Sequence, residues 1–173
     1  MTIITRNTAL AAALSCLWLP AASAHVTLEQ PTAQPGASYK AVLRIPHGCE
    51  GEATHTLRVR IPEGFYDVKP MPKAGWMLET LTGDYARAYD NHGTAVTRGV
   101  NEIIWSGGKL PDDFYDEFVF RGRFADSLPA DSRFYFPTVQ ECANGVARWI
   151  DTSGGEESDE PAPGLTLKAG HHH

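Results

Sequence analysis

Residues 38–46, SYKAVLRIP, decide the fold by their alternation. Tyr39, Ala41, Leu43 and Ile45 share one face and Lys40 and Arg44 the other, the two-residue period of a strand with one side in a core and one in water. The device returns in TLRVRIP (56–62), where Leu57, Val59 and Ile61 point inward and Arg58 and Arg60 outward. It returns again in EFVFRGRF (117–124), where Phe118, Phe120 and Phe124 oppose Val119, Arg121 and Arg123.

Outward from these three segments, shorter strands are expected at VTLE (26–29), WMLETL (76–81), YARAY (85–89), TAVTR (94–98), NEIIW (101–105), FYFPTVQE (134–141) and ARWID (147–151). Turn chemistry separates them: Gln34-Pro35-Gly36, Pro62-Glu63-Gly64, Asp90-Asn91-His92-Gly93, Ser106-Gly107-Gly108 and Ala143-Asn144-Gly145. Pro31, Pro46, Pro62, Pro70, Pro72 and Pro137 belong at strand ends or edges, because proline cannot donate to a ladder. No segment sustains a helical stripe. The expectation is an all-β chain, most simply an immunoglobulin-like antiparallel β-sandwich, with a barrel as the alternative.

The first 24 residues have one basic residue, Arg6, an apolar run from Ala9 to Leu19, and Ala22-Ser23-Ala24 at the end, the layout of a secretory signal peptide. The apolar run is about half of the roughly 20 residues that span a bilayer, so no membrane anchor is expected in the mature chain. Cys16 reads as a passive residue of the discarded segment rather than a lipid-attachment site. Cleavage between Ala24 and His25 leaves 149 of the 173 residues and makes His25 the amino terminus of a periplasmic or secreted protein. Residues 25–152 form the expected domain. The acidic segment 153–163, SGGEESDEPAP, reads as a loop or mobile tail, with GLTLKAG (164–170) adding a last edge strand. His171 to His173 fit a tag remnant or a native end equally and stand outside the fold argument.

Without Arg6 the balance is 14 basic to 21 acidic residues, which argues against nucleic acid and anionic membranes as partners. The balance does not repel metal cations. Cys49 and Cys142 remain after cleavage, and in an oxidising compartment an intramolecular disulfide is the leading assignment. Such a bridge closes a long loop and stabilises by about 4 to 5 kcal/mol in the chain-entropy picture. Thiolate ligation of Cu(I) is the alternative.

An amino-terminal His25 presents an α-amine and an imidazole from one residue, and both can chelate one ion. The amine's reference pKa near 7.7 to 8.0 lets a metal displace its proton at neutral pH. Nitrogen pairs of this kind suit Cu(II). Further ligands must come from elsewhere: His47, Cys49 and Glu50 crowd the turn RIPHGCEGEAT, and Trp149 lies in GVARWID. A Cys49–Cys142 bridge brings those two segments within a few ångströms. Taken alone, Trp149, Trp76 and Trp105 read as core or loop anchors, and His55 and His92 as exposed and unbound.

The strings HVTLEQP at the mature start, AVLRIPHGCEG, VRIPEG, KPMPKAGW, GVARWID and the later DEPAP resemble the YcnI-like copper-binding domain of exported bacterial proteins over about His25 to Leu167. The resemblance implies an immunoglobulin-like sandwich holding Cu(II) in a brace made by one amino-terminal histidine, with a carboxylate and a tryptophan completing the site. Carried over by position, His25 is the brace histidine and Trp149 the site tryptophan. The family's glutamate follows a strand-ending V-P by two positions, where this chain has Gly48. Glu50 takes that role through a one-residue insertion, or His47 replaces it.

These observations imply a periplasmic Cu(II)-binding protein of copper homeostasis or delivery, with copper as its ligand and a copper chaperone, transporter or apo-cuproenzyme as partner. No catalytic or cofactor-binding set is expected beyond the metal: there is no G-x-S-x-G elbow and no H-E-x-x-H pair. Two alternatives stand beside it. One is a copper oxygenase that recruits His47 or His55 as a second histidine. The other is a non-metal module that binds protein or glycan through exposed Phe65, Tyr66, Phe114 and Tyr115.

Overall fold

The computed structural model describes residues 25–154 and 158–170. The expected signal segment 1–24, with Arg6 and Cys16, and the terminal histidines 171–173 lie outside the described residues. Twelve strands and no helix make up the described chain.

Strands β1 (Thr27–Leu28), β3 (Ser38–Ile45), β5 (Phe65–Pro70) and β8 (Asp116–Phe124) form a four-stranded sheet in the order β1-β3-β8-β5. Strands β4 (Thr54–Arg60), β6 (Met77–Asn91), β7 (Thr94–Leu110), β10 (Thr138–Cys142) and β11 (Val146–Trp149) form a five-stranded sheet in the order β11-β10-β4-β7-β6. A third sheet, β2-β12-β9, is built from β2 (Thr32–Ala33), β12 (Gly164–Leu167) and β9 (Arg133–Tyr135). All pairs are antiparallel except β2 with β12, which run parallel.

The alternation in the sequence sets what faces inward. Tyr39, Ala41, Leu43 and Ile45 from β3 and Phe118, Phe120 and Phe124 from β8 are buried in one core with Leu57, Val59, Ile103 and Trp105 of the five-stranded sheet and Ile61 just past the end of β4. Phe65, Phe120, Phe124, Phe134 and Phe136 meet edge-to-face or tilted at centroid distances of 4.8 to 6.4 Å, geometries the aromatic quadrupole favours. Phe65 and Tyr66 are therefore core, not an exposed ligand platform; only Phe114 and Tyr115 of that group are exposed.

Several expected boundaries shift. WMLETL and YARAY are one strand, β6, and TAVTR and NEIIW one strand, β7, forming a long hairpin whose register slips between Leu81/Thr82 and between Asp84/Tyr89. The slips absorb residues whose side chains break the alternation, so the polar interruptions mark bulges, not ends. Ser106-Gly107-Gly108 is likewise a bulge inside β7: Thr54 and Thr56 of β4 pair with Leu110 and Ser106. Gly108 is required there because a Cβ would lie 2.1 Å from the Trp76 indole. His55, expected to be exposed, is half-buried and donates from Nδ1 to the Gly108 carbonyl at 2.8 Å. FYFPTVQE breaks into β9 and β10 around Phe136-Pro137, where Pro137 lacks the N–H a continuous ladder needs.

The largest correction is at the carboxyl end. β12 is the central strand of its sheet, not an edge, and Leu165 and Leu167 are fully buried in the main core. The sandwich therefore continues beyond residue 152. Residues 158–163 are also tied down: the Ala162 N–H donates to the Asp151 carbonyl (2.8 Å), and the Arg148 N–H to Glu160 Oε1 (2.9 Å).

Candidate metal centre

The turn between β3 and β4 is closed by reciprocal backbone hydrogen bonds between Cys49 and Glu52, each 2.9 Å. Its two central residues, Glu50 (φ 50°) and Gly51 (φ 91°), take the left-handed region that a tight two-residue hairpin needs. Glu50 is exposed at the apex. Cys49 is disulfide-bonded to Cys142 at the end of β10, with a Cα–Cα distance of 6.1 Å. The disulfide removes both thiols from the list of metal ligands.

A second tie lies beside the first. Glu52 accepts hydrogen bonds from the Asn144 N–H (2.7 Å), the Asn144 side-chain amide (2.6 Å) and the Gly145 N–H (3.2 Å). The Asn144 backbone bond, followed by its side-chain bond, holds the Glu52 carboxyl below the usual carboxylate range.

Beneath the turn, Gln140 is fully buried and uses both ends of its amide. Its Oε1 accepts from Trp149 Nε1 at 3.1 Å. Its Nε2 donates to the His47 carbonyl at 2.7 Å and to Thr54 Oγ1 at 2.6 Å. One side chain thus fixes the indole, the chain path at His47 and the start of β4. Gln140 occupies the inward phase of TVQEC with Thr138, so a polar residue on a core-facing position was the available signal, but the sequence reading did not single it out.

Trp149 is buried in the main core, as its bland reading had it, and it also meets His25. The two rings lie 6.0 Å apart between centroids, inclined at 61°. His25 immediately precedes β1. Thr27 pairs with Arg44 and Leu28 with Leu43, so extending that register sets His25 opposite Pro46, next to His47. Val26 and Leu28 are buried and hold this start against the sandwich.

Trp149 forms part of the wall of an open cleft of about 430 Å³ that also borders His47, Glu50, Asp159 and Glu160. The last two acids were assigned to a mobile tail in the sequence; pinning of 158–163 on β11 brings them here. His47 donates from Nδ1 to the Gly48 carbonyl at 2.7 Å and lies 3.9 Å from Asp112 Oδ1. The structure thus joins His25 to Trp149, and His47 and Glu50 to the Trp149 cleft. Among the described residues no three His, Cys, Asp or Glu side chains form a group that could hold a metal, so His25, His47 and Glu50 are not a ready-made side-chain cluster. His92 stands apart, exposed at the tip of the β6–β7 hairpin.

The two larger sheets, packed on one shared core in the strand orders given above, define an immunoglobulin-like β-sandwich. The chain belongs to the family described as "Domain of unknown function (DUF1775)", which matches residues 25–167. That membership agrees with the YcnI-like resemblance. A solved structure described as an uncharacterized protein from Nocardia farcinica with an immunoglobulin-like fold is 25% identical, with a TM-score of 0.61, over 83% of this chain and 98% of that one. A non-cellulosomal cohesin from the archaeon Archaeoglobus fulgidus aligns at 10% identity and a TM-score of 0.34, over 84% of each chain. No curated protein matches.

Proposed function

We propose that the protein binds one Cu(II) ion as cargo at His25 and serves periplasmic copper homeostasis or delivery. The observation that carries this reading is the His25–Trp149 contact, Trp149 being also part of the wall of a cleft that Glu50, Asp159 and Glu160 border. The donor set suits the reading in one respect: a site built from the two nitrogens of a single residue does not need three clustered side chains. The α-amine and imidazole of a processed His25 are the primary donors, and Glu50 or His47 from the adjacent turn is the further one. Trp149, fixed by Gln140, closes one side of the ion and limits access of water, a role for holding and handing over copper rather than for catalysis.

The expected export fits the same reading. The disulfide fits an oxidising compartment, and among the described residues no helix is long and apolar enough to cross a membrane. The donor and recipient are a copper chaperone, transporter or apo-cuproenzyme of that compartment.

The test is electron paramagnetic resonance of protein beginning at His25 with one equivalent of Cu(II). Nitrogen hyperfine structure that loses its His25 imidazole contribution in His25→Ala is expected, together with loss of most affinity when one residue precedes His25. An unchanged spectrum in both variants, or no uptake of copper, overturns the proposal. Trp149→Phe is expected to alter the spectrum or the reduction potential of bound copper, and no change in either removes the role given to the indole.

A further inference from the structure

We propose that the outer face of the four-stranded sheet carries a second site, a pocket for a compact oxyanion with two or more negative charges. Lys40 of β3 is paired directly with Arg121 of β8, and Arg121 in turn with Lys69 of β5, so three cations stand in one row across three strands. Arg123, two residues along β8 and on the same face, pairs with Ser38. Like charges set directly opposite one another destabilise a sheet. Here they accumulate in a chain of net charge −6.

Acids are placed elsewhere on this sheet. Arg44, further along β3, is matched by Glu29 at 3.1 Å and Glu117 at 3.4 Å. Among the described residues Lys40, Arg121 and Arg123 have no such partner, and Lys69 has only Asp67 at 3.9 Å. Apart from the Lys69–Asp67 contact, the row is therefore an unneutralised positive patch next to a neutralised one.

The patch is also concave. Ser38, Lys40, Arg121 and Arg123 contribute to a pocket of about 590 Å³, and Asn91 and His92 of the β6–β7 hairpin tip form its wall. The tip reaches the pocket because the distal hairpin is docked: Tyr89 stacks on Tyr66 at 4.7 Å and 7°, and the Tyr66 hydroxyl donates to the Asp90 carbonyl at 2.8 Å. Asp67 is the one acid on the lining. Side chains two apart on a strand stand roughly 7 Å apart and direct cross-strand neighbours about 5 Å. Arg121, Arg123 and Lys40 thus form a triangle suited to a ligand with two charged ends, and the two guanidinium forks can each take an oxyanion bidentately. Diphosphate and small polycarboxylates share that chemistry. The site is independent of the copper reading, on the other sheet from Trp149.

The experiment uses metal-free protein beginning at His25, at about 0.15 M ionic strength, where exposed charges are screened beyond roughly 8 Å. Inorganic pyrophosphate and citrate are titrated separately by calorimetry and by amide chemical shifts. Saturable binding of at least one probe is expected, with the largest shifts at Ser38, Lys40, Arg121 and Arg123; the tighter probe assigns the class. Arg121→Gln/Arg123→Gln and, separately, Lys40→Gln are expected to weaken binding about tenfold or more, whereas Lys109→Gln, an exposed cation on the other sheet, leaves it unchanged. Absence of saturable binding by both probes overturns the proposal. So do shifts centred elsewhere, equal loss in Lys109→Gln, or binding only to phosphatidylglycerol vesicles. Because the shift map is made on the unmodified protein, misfolding of a variant does not remove the test.

Discussion

The two ends of the β6–β7 hairpin are held to the sandwich by different means. At the proximal end the neighbouring turn 49–52 is fastened by the Cys49–Cys142 disulfide, by Glu52 on Asn144 and Gly145, and by Gln140 between Trp149, His47 and Thr54. At the distal end nothing covalent acts. Tyr66, Tyr85, Tyr89 and Leu128 pack as a small satellite cluster, Glu63 accepts from the Tyr89 hydroxyl and the Ala86 N–H, and the Gly64 N–H donates to the Tyr89 hydroxyl at 2.8 Å. The proposed copper site lies at the covalently fixed end. The proposed anion pocket borrows one wall from the end without a covalent tie, where local opening is expected to be easier.

The largest effect should come from breaking the fixed end. Cys49→Ser/Cys142→Ser is expected to lose about 4 kcal/mol of stability in denaturant titration, through restored freedom of the unfolded chain. If the copper reading holds, affinity should fall only to the extent that the bridge positions the turn relative to Trp149. Gln140→Leu is expected to cost about 2 to 3 kcal/mol, because it strands a buried indole N–H, a hydroxyl and a carbonyl together. The Trp149 indole proton should also move in the NMR spectrum, a shift that separates loss of positioning from a merely looser core.

At the distal end, Tyr89→Phe removes one hydroxyl with two partners and is expected to cost about 1 to 2 kcal/mol. That loss should show as faster amide exchange in residues 85–96 while the core strands stay protected. Smallest of all should be Tyr85→Phe. The Tyr85 hydroxyl is buried without a hydrogen-bond partner among the described residues, so its removal is expected to be neutral or slightly stabilising in the same exchange measurement.

The two ends should also differ in pH response. Burial, reinforced by Tyr89 and nearby acids, pushes the Tyr85 phenol up to about 12 from an ordinary value of 10. A raised value favours the protonated form in the folded state, so the contribution is complete below pH 10 and is lost as pH rises through about 12. Tyr39, also raised to about 12 by burial, adds a loss in the same window within the main sheet. Glu52 has the opposite sign: its lowered value contributes above the ordinary carboxylate range and is lost as pH falls through the depressed one. Acid should therefore loosen the 49–52 turn against 143–145 first, and alkali the hairpin arm. Amide exchange at Asn144 and Ala86 across both windows distinguishes the ends, and equal response at both would erase the contrast.

The same division explains what could be read in the sequence. Alternation in 38–46, 56–62 and 117–124 is clean because one face of each strand is packed and the other wet, and those strands lie where the alternation puts them. The distal hairpin has no buried face over most of its length, so its residues carry no phase and its continuity could not be seen. β12 was underestimated because four residues with only two apolar side chains look marginal, yet both of those side chains are fully buried. In the candidate site, the cysteine pair was legible from its count, and the disulfide is present; His25 was singled out by the expected cleavage pattern. The His25–Trp149 meeting came only through family resemblance, since spacing does not show which of several tryptophans reaches a given strand end. Asp159 and Glu160 were hidden by composition: an acidic, proline-containing stretch looks unfolded until its backbone hydrogen bonds are counted.

The position of β12 bears on when the molecule can fold. Its neighbours are β2, near the start of the described residues, and β9, about a hundred residues later, and they meet only through it. A growing chain can form the long hairpin early, from contacts local in sequence, but the core positions of Leu165 and Leu167 stay open until those residues arrive. Completion of this core thus waits for β12, and a chain cut short of Gly164 is expected to present an unfilled apolar hole rather than a trimmed tail.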